Sequence, residues 1–268
     1  PSPPPATAPT PPVDRYVAHL FSGPYRRTDG LAAHLLLHGI QCRDYDSGAD
    51  HTGEHGGWEH DFLNDDHYAS LLSELDAGRI IAIVAGPPCS TYSAARFLRL
   101  PGPDPGPPVV RTIDHPDGLP LSDIPAAYHR ELGVANAIAR RLSEIMRRAH
   151  VANVPFVLEN PAPRHSETFL NGALFYPQTA KHGSLWVTTP IRALTSATGA
   201  LFTTFAYCRL ADPDTPLTAQ KYTSLLYSPS LHSTLTLLAP LTCNHPLPEH
   251  TKTAGRADST WNTSRLSP

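Results

Sequence analysis

The chain has 268 residues, which suffices to bury the core of one large domain or of one domain with a small appendage. Its net charge of −3 excludes a strongly basic nucleic-acid-binding protein. The charge is uneven, however: residues 79–268 carry 17 Lys or Arg against 12 acidic side chains, so we expect any contact with a polyanion in this later part. No apolar run has the length of a membrane span, no signal-peptide pattern is present, and the four cysteines are widely spaced. We therefore predict an intracellular chain without a membrane partner, nuclear if the host is a eukaryote, and not secreted.

Composition divides the chain into four parts. Residues 1–13 are mostly proline, alanine and threonine, which predicts a proline-rich linker of polyproline type. Residues 14–165 hold the strongest strand and helix patterns, and residues 166–250 are assigned to a small C-terminal lobe. Residues 251–268 are polar and predict a flexible tail.

The first elements of the chain follow the order strand, glycine turn, helix, strand and acid. Residues 16–21 predict a strand that ends near Gly23, and residues 31–38 repeat apolar side chains at helical spacing. Residues 40–43 begin a second strand, which Asp46 follows. This order is typical of the nucleoside-binding half of a doubly wound sheet, where the turn binds a polar group and the acid binds a ribose diol.

A central strand comes next and ends in a cysteine. Residues 79–84 are a continuous apolar run rich in β-branched side chains, which predicts a strand buried on both faces. The run stops at Pro87 and Pro88, because proline cannot donate a hydrogen bond to a sheet. Cys89 follows directly, at the strand end where an open α/β sheet carries its reacting groups. We interpret Cys89 as a nucleophile, with a buried structural thiol as the alternative.

Regular patterns are sparser in the rest of the chain. Residues 101–125 contain eight prolines, which predicts either a flexible flap or a solvated insertion. Residues 122–149 predict a long amphipathic helix, and residues 155–158 a further strand that ends in Glu159. Residues 202–207 and 221–227 resemble strands, and residues 231–238 resemble a helix.

Cys89 and Glu159 thus end two strands that would meet over a nucleoside-type pocket. A thiolate is a strong nucleophile, and a carboxyl group in an apolar setting can be kept protonated as an acid. One reaction needs this pair beside S-adenosylmethionine, namely methylation of carbon 5 of cytosine. There a thiolate adds to carbon 6 while an acid contacts ring nitrogen 3, and carbon 5 becomes able to accept the methyl group.

Short motifs across residues 16–161 resemble, in the same order, those of the cytosine-5 DNA methyltransferase family. Residues 19–23 (His-Leu-Phe-Ser-Gly) resemble its cofactor loop, residues 86–89 (Gly-Pro-Pro-Cys) its nucleophile motif, and residues 159–161 (Glu-Asn-Pro) its Glu-Asn-Val motif. The resemblance implies a Rossmann-like doubly wound α/β fold, S-adenosylmethionine as cofactor, DNA as partner and a flipped base. It also implies a catalytic domain up to residue 165 and a target-binding role for the lobe.

The resemblance assigns a role to each matching residue. Cys89 becomes the nucleophile and Glu159 the acid that binds the cytosine edge. Arg164 is a candidate substitute for the family's Arg-x-Arg motif, which would support either Glu159 or the flipped base. The implied cofactor contacts are Phe21, Ser22, Gly23, Asp46 for the ribose (with Asp44 as the less favoured choice), Asp61 for the adenine amino group, and Pro87.

Departures from the family pattern favour a compact, divergent member. Ser90 stands where the family has Gln, Pro161 stands where it has Val, and no C-terminal Gly-Asn-Ser-Val-type segment is present. We expect a monomer or a module of a larger polyprotein of phage or mobile-element type. Two alternatives stay open: the same chemistry on RNA, and an inactive module of this fold that binds nucleic acid or a partner.

Two patterns in the later part have more than one interpretation. Lys221 and Thr223 fall on one face of a predicted strand, where they either touch a DNA phosphate or belong to an exposed strand end. No metal is assigned to the site itself. Zinc is an alternative for the C-terminal region, where two thiols and two imidazoles occur at a spacing that matches no strong signature: Cys208, Cys243, His245 and His250.

Overall fold

A six-stranded sheet forms the centre of the computed structural model, which describes residues 14–23, 30–48, 57, 60–98, 106–210 and 221–243 and the backbone of two short strands near the C-terminus. The spatial order of its strands is β2-β1-β3-β4-β6-β5, and β1 to β4 are parallel, whereas β6 is antiparallel to both β4 and β5. The strands are β1 (Tyr16–Leu20), β2 (Cys42–Tyr45), β3 (Ile80–Ala85), β4 (Phe156–Pro161), β5 (Leu201–Ala206) and β6 (Tyr222–Tyr227).

Helices connect the parallel strands. The chain passes through α1 between β1 and β2, through α2 between β2 and β3, and through α3 between β3 and β4. The side chain of Asn64 caps α2 by accepting hydrogen bonds from the N–H groups of Asp66 and His67. The helices are α1 (Leu31–Leu37), α2 (Asp65–Asp76), α3 (His129–Val151), α4 (Thr189–Thr198) and the single turn α5 (His232–Leu235).

The main core lies between one face of the sheet and helices α2, α3 and α4. Side chains alternate along β1, so Ala18 and Leu20 face this core together with Ile83 from β3. The apolar stripe of α3, including Leu142 and Ile145, packs against them and is fully buried. Each such aliphatic side chain contributes about 1.5–3 kcal/mol to folding by leaving water, and this burial holds the strand ends in place.

The α/β class predicted from the sequence is confirmed, and the mixed six-stranded sheet is compatible with a Rossmann-like arrangement. β2 and β3 lie on opposite sides of β1, so the strand order reverses between β1 and β3. Open α/β sheets bind their ligands at such a reversal, outside the carboxyl ends of the strands.

The region expected to form a separate C-terminal lobe instead contributes to the same sheet. Both β5 and β6 come after residue 165, yet β6 pairs directly with β4. All six residues of β6 are buried, so this strand needs a neighbour on each side and cover on each face, which a small lobe does not supply. A boundary at residue 165 therefore does not divide the sheet from a second unit.

Other differences concern single segments. The proline-rich stretch is neither wholly solvated nor loose over residues 106–125, because Val110, Arg111 and Ile124 are buried there. Helix α4 was not predicted; it begins at Thr189-Pro190, where proline is suited to the first turn. The predicted linker, residues 1–13, lies outside the described residues. So does the tail except for the backbone of β7 (Arg256–Ala257) and β8 (Thr260–Trp261), which form an antiparallel pair.

Within the part of the chain that the structure describes, no helix combines the length and the apolar character that crossing a membrane requires.

Candidate active site

The candidate site lies at the edge of the sheet where the parallel strands end. Leu20 in β1 is in register with Ala85 in β3, and Ala85 is in register with Leu158 in β4. The residues that follow these three positions are therefore neighbours along one edge, next to the reversal in strand order. Those next residues are Phe21, Gly86 and Glu159.

Cys89 follows β3 after a turn that is fixed on two sides. Pro87 is buried, and its carbonyl oxygen accepts a 3.0 Å hydrogen bond from the side-chain amide of Asn160 in β4. The carbonyl oxygen of Cys89 accepts a 2.9 Å hydrogen bond from the N–H of Tyr92. This bond closes the 3-10 turn Ser90–Tyr92, which Cys89 precedes. The thiol is thus held at the strand end and is itself only partly exposed.

Glu159 lies within β4 and faces a hydroxyl and an ammonium group. Thr223 Oγ1 donates a hydrogen bond to Glu159 Oε1, and Lys221 Nζ lies 3.7 Å from the same oxygen. A side-chain carbon on Gly86 would come within 3.7 Å of Glu159 Oε2, so the carboxyl group lies directly beside the turn that leads to Cys89. The structure therefore brings Cys89, Glu159 and Lys221 into one cluster.

Four influences act on the pKa of the Cys89 thiol. Burial raises this pKa above its ordinary value, the positive charge of Lys221 lowers it, the negative charge of Glu159 raises it, and a backbone hydrogen bond lowers it. Burial is the largest of the four, and the pKa of Cys89 is raised overall. Of the two charged neighbours, Lys221 is the one that favours the thiolate, because an adjacent cation stabilises a buried negative charge.

We expect the alkylation rate of Cys89 to respond in opposite directions to the loss of its two charged neighbours. Lys221→Met should raise the pKa of Cys89 and slow its reaction with iodoacetamide at pH 8, whereas Glu159→Gln should lower that pKa and speed the reaction. Peptide mapping of the alkylated protein by mass spectrometry measures this rate, with Cys42, Cys208 and Cys243 as internal references. Equal shifts in the same direction would contradict the arrangement.

The turn after β1 is tied to the end of β2 through Asp46. Gly23 N–H donates a 3.0 Å hydrogen bond to Asp46 Oδ2, and Gly48 N–H donates a 2.7 Å hydrogen bond to Asp46 Oδ1. Gly23 has φ 74°, a left-handed conformation that favours glycine. Phe21 also has a positive φ of 60°, which for a bulky residue stores backbone strain of the kind found at ligand sites.

The remaining predicted cofactor contacts lie around this turn. The ring of Phe21 meets that of Phe62 edge-on at 5.2 Å, and Asp61 is the residue immediately before Phe62. Asp61 Oδ1 accepts a 2.8 Å hydrogen bond from Leu63 N–H, which fixes its carboxyl group in the loop. Ser22 Oγ donates to the Gly23 carbonyl oxygen at 3.2 Å. The structure thus gathers these residues and Asp46 beside the strand reversal.

Asp44 does not take part in this arrangement. Its Oδ1 accepts a 2.9 Å hydrogen bond from His19 Nδ1, its register partner within the paired strands β1 and β2. Asp46, two residues further along, is the acid beyond the strand end. The geometry therefore favours Asp46 over Asp44 for a ribose contact.

Arg164 is placed differently from the sequence expectation. Its guanidinium group lies 3.5 Å from the carbonyl oxygen of Leu174 and 5.8 Å from the ring centre of Tyr176, and its pKa is lowered chiefly by burial. The groups that contact Glu159 are instead Lys221 and Thr223. Sequence analysis placed these two on a common strand face, but it could not show that β6 pairs with β4.

A buried histidine, which sequence analysis did not single out, supports the turn after Cys89. His182 is fully buried, and its Nδ1 accepts a 3.1 Å hydrogen bond from the N–H of Arg164. Its Nε2 donates a 2.7 Å hydrogen bond to the carbonyl oxygen of Tyr92. Because the backbone N–H can only donate and the carbonyl can only accept, the ring is neutral with its proton on Nε2.

A buried arginine supports the same turn from the other side. Arg111 Nη2 donates hydrogen bonds of 3.1 Å to Thr91 Oγ1 and to Asn136 Oδ1. Its guanidinium carbon lies 4.2 Å from the ring centre of Tyr92, and burial lowers its pKa. Its place in a proline-rich segment concealed it from sequence analysis, since such composition ordinarily indicates exposed chain.

The stability of the fold should depend on pH through His182. Burial lowers the pKa of His182 to about 4 in the folded state, against the ordinary 6.5 for an exposed ring. The contribution of neutral His182 to the free energy of unfolding is complete above pH 6.5. It is lost as the pH falls towards 4, because the unfolded chain binds the proton more readily than the folded protein does. This difference corresponds to about 3 kcal/mol of unfolding free energy.

Urea unfolding of the wild type and of His182→Gln at intervals from pH 4.5 to 7.5 tests this expectation. The variant should be less stable at pH 7.5 and should show a smaller decline in unfolding free energy on acidification. Parallel curves for the two proteins would rule out a neutral buried His182.

The C-terminal cysteines are adjacent in the structure. A hydrogen bond between the thiols of Cys208 and Cys243, together with burial, raises the pKa of Cys208 to about 11. His245 and His250, the other members of the predicted zinc set, lie outside the described residues.

A groove of about 670 Å³ lies at the opposite end of the sheet from Cys89. Its walls include Arg147, Arg148 and His150 near the end of α3, just before β4 begins, together with Asp76 and Glu144. It mixes acidic and basic side chains, and none of the predicted site residues lines it.

Chemically, the edge beside β1, β3 and β4 combines a thiol, a carboxyl group and a cation with a strained turn and an acid beyond β2. This set can attack an electron-poor ring carbon and bind a hydroxyl-bearing ligand next to it. Comparisons of the chain with protein-family models, with curated proteins and with solved structures found no match.

Proposed function

We propose that this protein transfers a methyl group from S-adenosylmethionine to carbon 5 of cytosine in DNA through a covalent adduct at Cys89. The observation that carries the proposal is the cluster in which Glu159 lies between the Cys89 turn and the Lys221–Thr223 face of β6. The order of the motifs along the chain, which resembles that of cytosine-5 DNA methyltransferases, agrees with it.

The edge formed by Phe21, Gly23 and Asp46 fits an adenosyl ligand. Each carboxylate oxygen of Asp46 accepts one backbone hydrogen bond and keeps a lone pair for a ribose hydroxyl. The backbone approach at Gly23 is open with respect to the described residues, since none of their atoms would lie within 4 Å of a side-chain carbon there. S-adenosylmethionine supplies an electrophilic methyl group when it is bound.

The residues of the cluster divide the chemistry on cytosine between them. Cys89 loses its proton and adds through sulfur to carbon 6, and the ring electrons move to carbon 5. Glu159 takes a proton, which Cys89 can supply directly, and as the neutral acid hydrogen-bonds ring nitrogen 3. Methyl transfer to carbon 5 would leave S-adenosylhomocysteine; carbon 5 would then lose its hydrogen as a proton to a base, and the Cys89–carbon 6 bond would break to restore the ring double bond and return the sulfur as a thiolate.

Thr223 and Lys221 position this acid and stabilise the sulfur. The Thr223 hydroxyl holds one oxygen of Glu159, so the other oxygen is directed past Gly86. Lys221 stabilises the thiolate at the moment when the proton leaves Cys89. Thr223 and Lys221 would thus support Glu159, the role for which Arg164 was the candidate.

DNA that contains 5-fluorocytosine provides the decisive experiment. Fluorine cannot leave carbon 5 as a proton does, so the wild type with S-adenosylmethionine should form an adduct that survives denaturing electrophoresis. Cys89→Ser should form none, whereas the matched thiol variant Cys243→Ser should form it as the wild type does. An adduct with RNA alone would transfer the proposal to RNA, and absence of any adduct would overturn it.

The affinity for S-adenosylmethionine should separate Asp46 from Asp44. Asp46→Ala removes both backbone hydrogen bonds and the ribose contact, so we expect a loss of about 10-fold or more in affinity by titration calorimetry. Asp44→Asn, which alters the neighbouring acid inside the strands, should stay close to the wild-type value. Equal losses would place the ribose contact elsewhere, and circular dichroism checks that both variants fold.

The raised pKa of Cys89 favours one second candidate, a module that keeps this fold and binds nucleic acid or a protein partner without catalysis. In that case calorimetry of the wild type with millimolar S-adenosylmethionine would show no binding.

A further inference from the structure

Three side chains of metal-binding type meet on one face of the sheet, where the edge strand β2 pairs with β1. His19 and Asp44 are register partners across these strands, and Cys42 lies two residues before Asp44, on the same face. One donor atom from each of the three lies within 4.8 Å of the donor atoms of the other two. Nitrogen, sulfur and oxygen donors therefore converge on a single point.

This face is the one that points away from the main core. Neighbouring residues of β1, including Ala18 and Leu20, face the core, so His19 faces the other way. Arg43, between Cys42 and Asp44, lies over the ring of Tyr16 at 4.0 Å and is thus on the core side. Arg43, the nearest basic side chain in sequence, therefore does not offset the negative charge of Asp44 in this cluster.

The cluster is sheltered but still reachable from solvent. The side chain of His19 is 18% exposed and that of Asp44 is 12% exposed. Cys42 is itself partly buried, and its thiol forms no disulfide. A bound divalent cation would compensate the carboxylate and a thiolate together.

We propose that His19, Cys42 and Asp44 form a binding site for Zn²⁺. Imidazole, thiolate and carboxylate are the three ligand types that zinc takes, and a thiolate disfavours Mg²⁺ and Ca²⁺. In a tetrahedral zinc site, with bonds of about 2.0 Å to nitrogen and oxygen and about 2.3 Å to sulfur, the ligand atoms are about 3.3–3.7 Å apart. The observed donor atoms lie within 4.8 Å of one another, which is close to this spacing. A water molecule completes the coordination.

A bound zinc ion would stabilise the pairing of the short edge strand β2 with β1. β2 has only four residues, and β1 is its partner within the described part of the sheet. Metal ligands on both strands join them through side chains as well as through backbone hydrogen bonds. This role is independent of the proposed methyl transfer, because the three ligands lie within the strands and not at the edge with Cys89.

Cobalt spectroscopy tests the site with the full-length chain. Co²⁺ bound to a thiolate gives a charge-transfer band in the near ultraviolet, which Zn²⁺ should remove by displacement. The Cys243→Ser background excludes the other pair of adjacent thiols and should keep the band, whereas Cys42→Ser in this background should lose it. Absence of the band in the wild type, or its survival in the double variant, would overturn the proposal.

Zinc affinity and proton release provide a second measurement that does not depend on cysteine substitution. Asp44→Asn and His19→Gln should each weaken Zn²⁺ binding at least 10-fold by calorimetry. Binding to the wild type should release about one proton per ion at pH 7.5, because the Cys42 thiol must ionise. Unchanged Zn²⁺ affinity in both variants would refute the site. His19 and Asp44 would then be only a hydrogen-bonded pair that lies next to the Cys42 thiol.

Discussion

The parallel register of β3 and β4 is the constraint on which the rest of the site depends. It sets Glu159 beside Gly86, and the absence of a side chain at Gly86 leaves room for the carboxyl group. Cys89 follows three residues later, on a turn that Asn160 holds through the carbonyl oxygen of Pro87. Two residues that are 70 positions apart in the chain thus lie at one edge of the sheet because two strands end at the same level.

Burial and the charges at this edge have opposing effects on the ionisation of Cys89. Burial and Glu159 oppose ionisation of Cys89, while Lys221 favours it. Any change that neutralises the charge of Glu159 shifts this balance towards the thiolate. The turn itself is rigid, because Arg111 and His182 hold it from two sides through groups that are fully buried.

Sequence reasoning located the residues whose role follows from a strand end. The β-branched run before Pro87 and Pro88 identifies a buried strand, and it therefore places Cys89 at the sheet edge. Residues whose role follows from tertiary pairing were not accessible in this way. Lys221 and Thr223 matter because β6 lies against β4, and His182 matters because its loop folds back onto Tyr92. That β5 and β6 join the same sheet as β4 could not be predicted for the same reason, since the residues of a strand do not specify its neighbour.

The reversed direction of β6 has an architectural consequence. β5 ends, and β6 begins, at the same edge of the sheet as Glu159, so the connection between them leaves and rejoins the sheet beside the cluster. The connection starts after the buried end of β5 and stops at Tyr222, the first residue of β6. The hydroxyl of Tyr222 accepts a 2.9 Å hydrogen bond from Cys243 N–H, which holds this end in place. The register of β5 on β6 is set by these buried strands and not by the length of the segment that joins them. The chain can therefore vary between residues 210 and 221 without displacing Glu159.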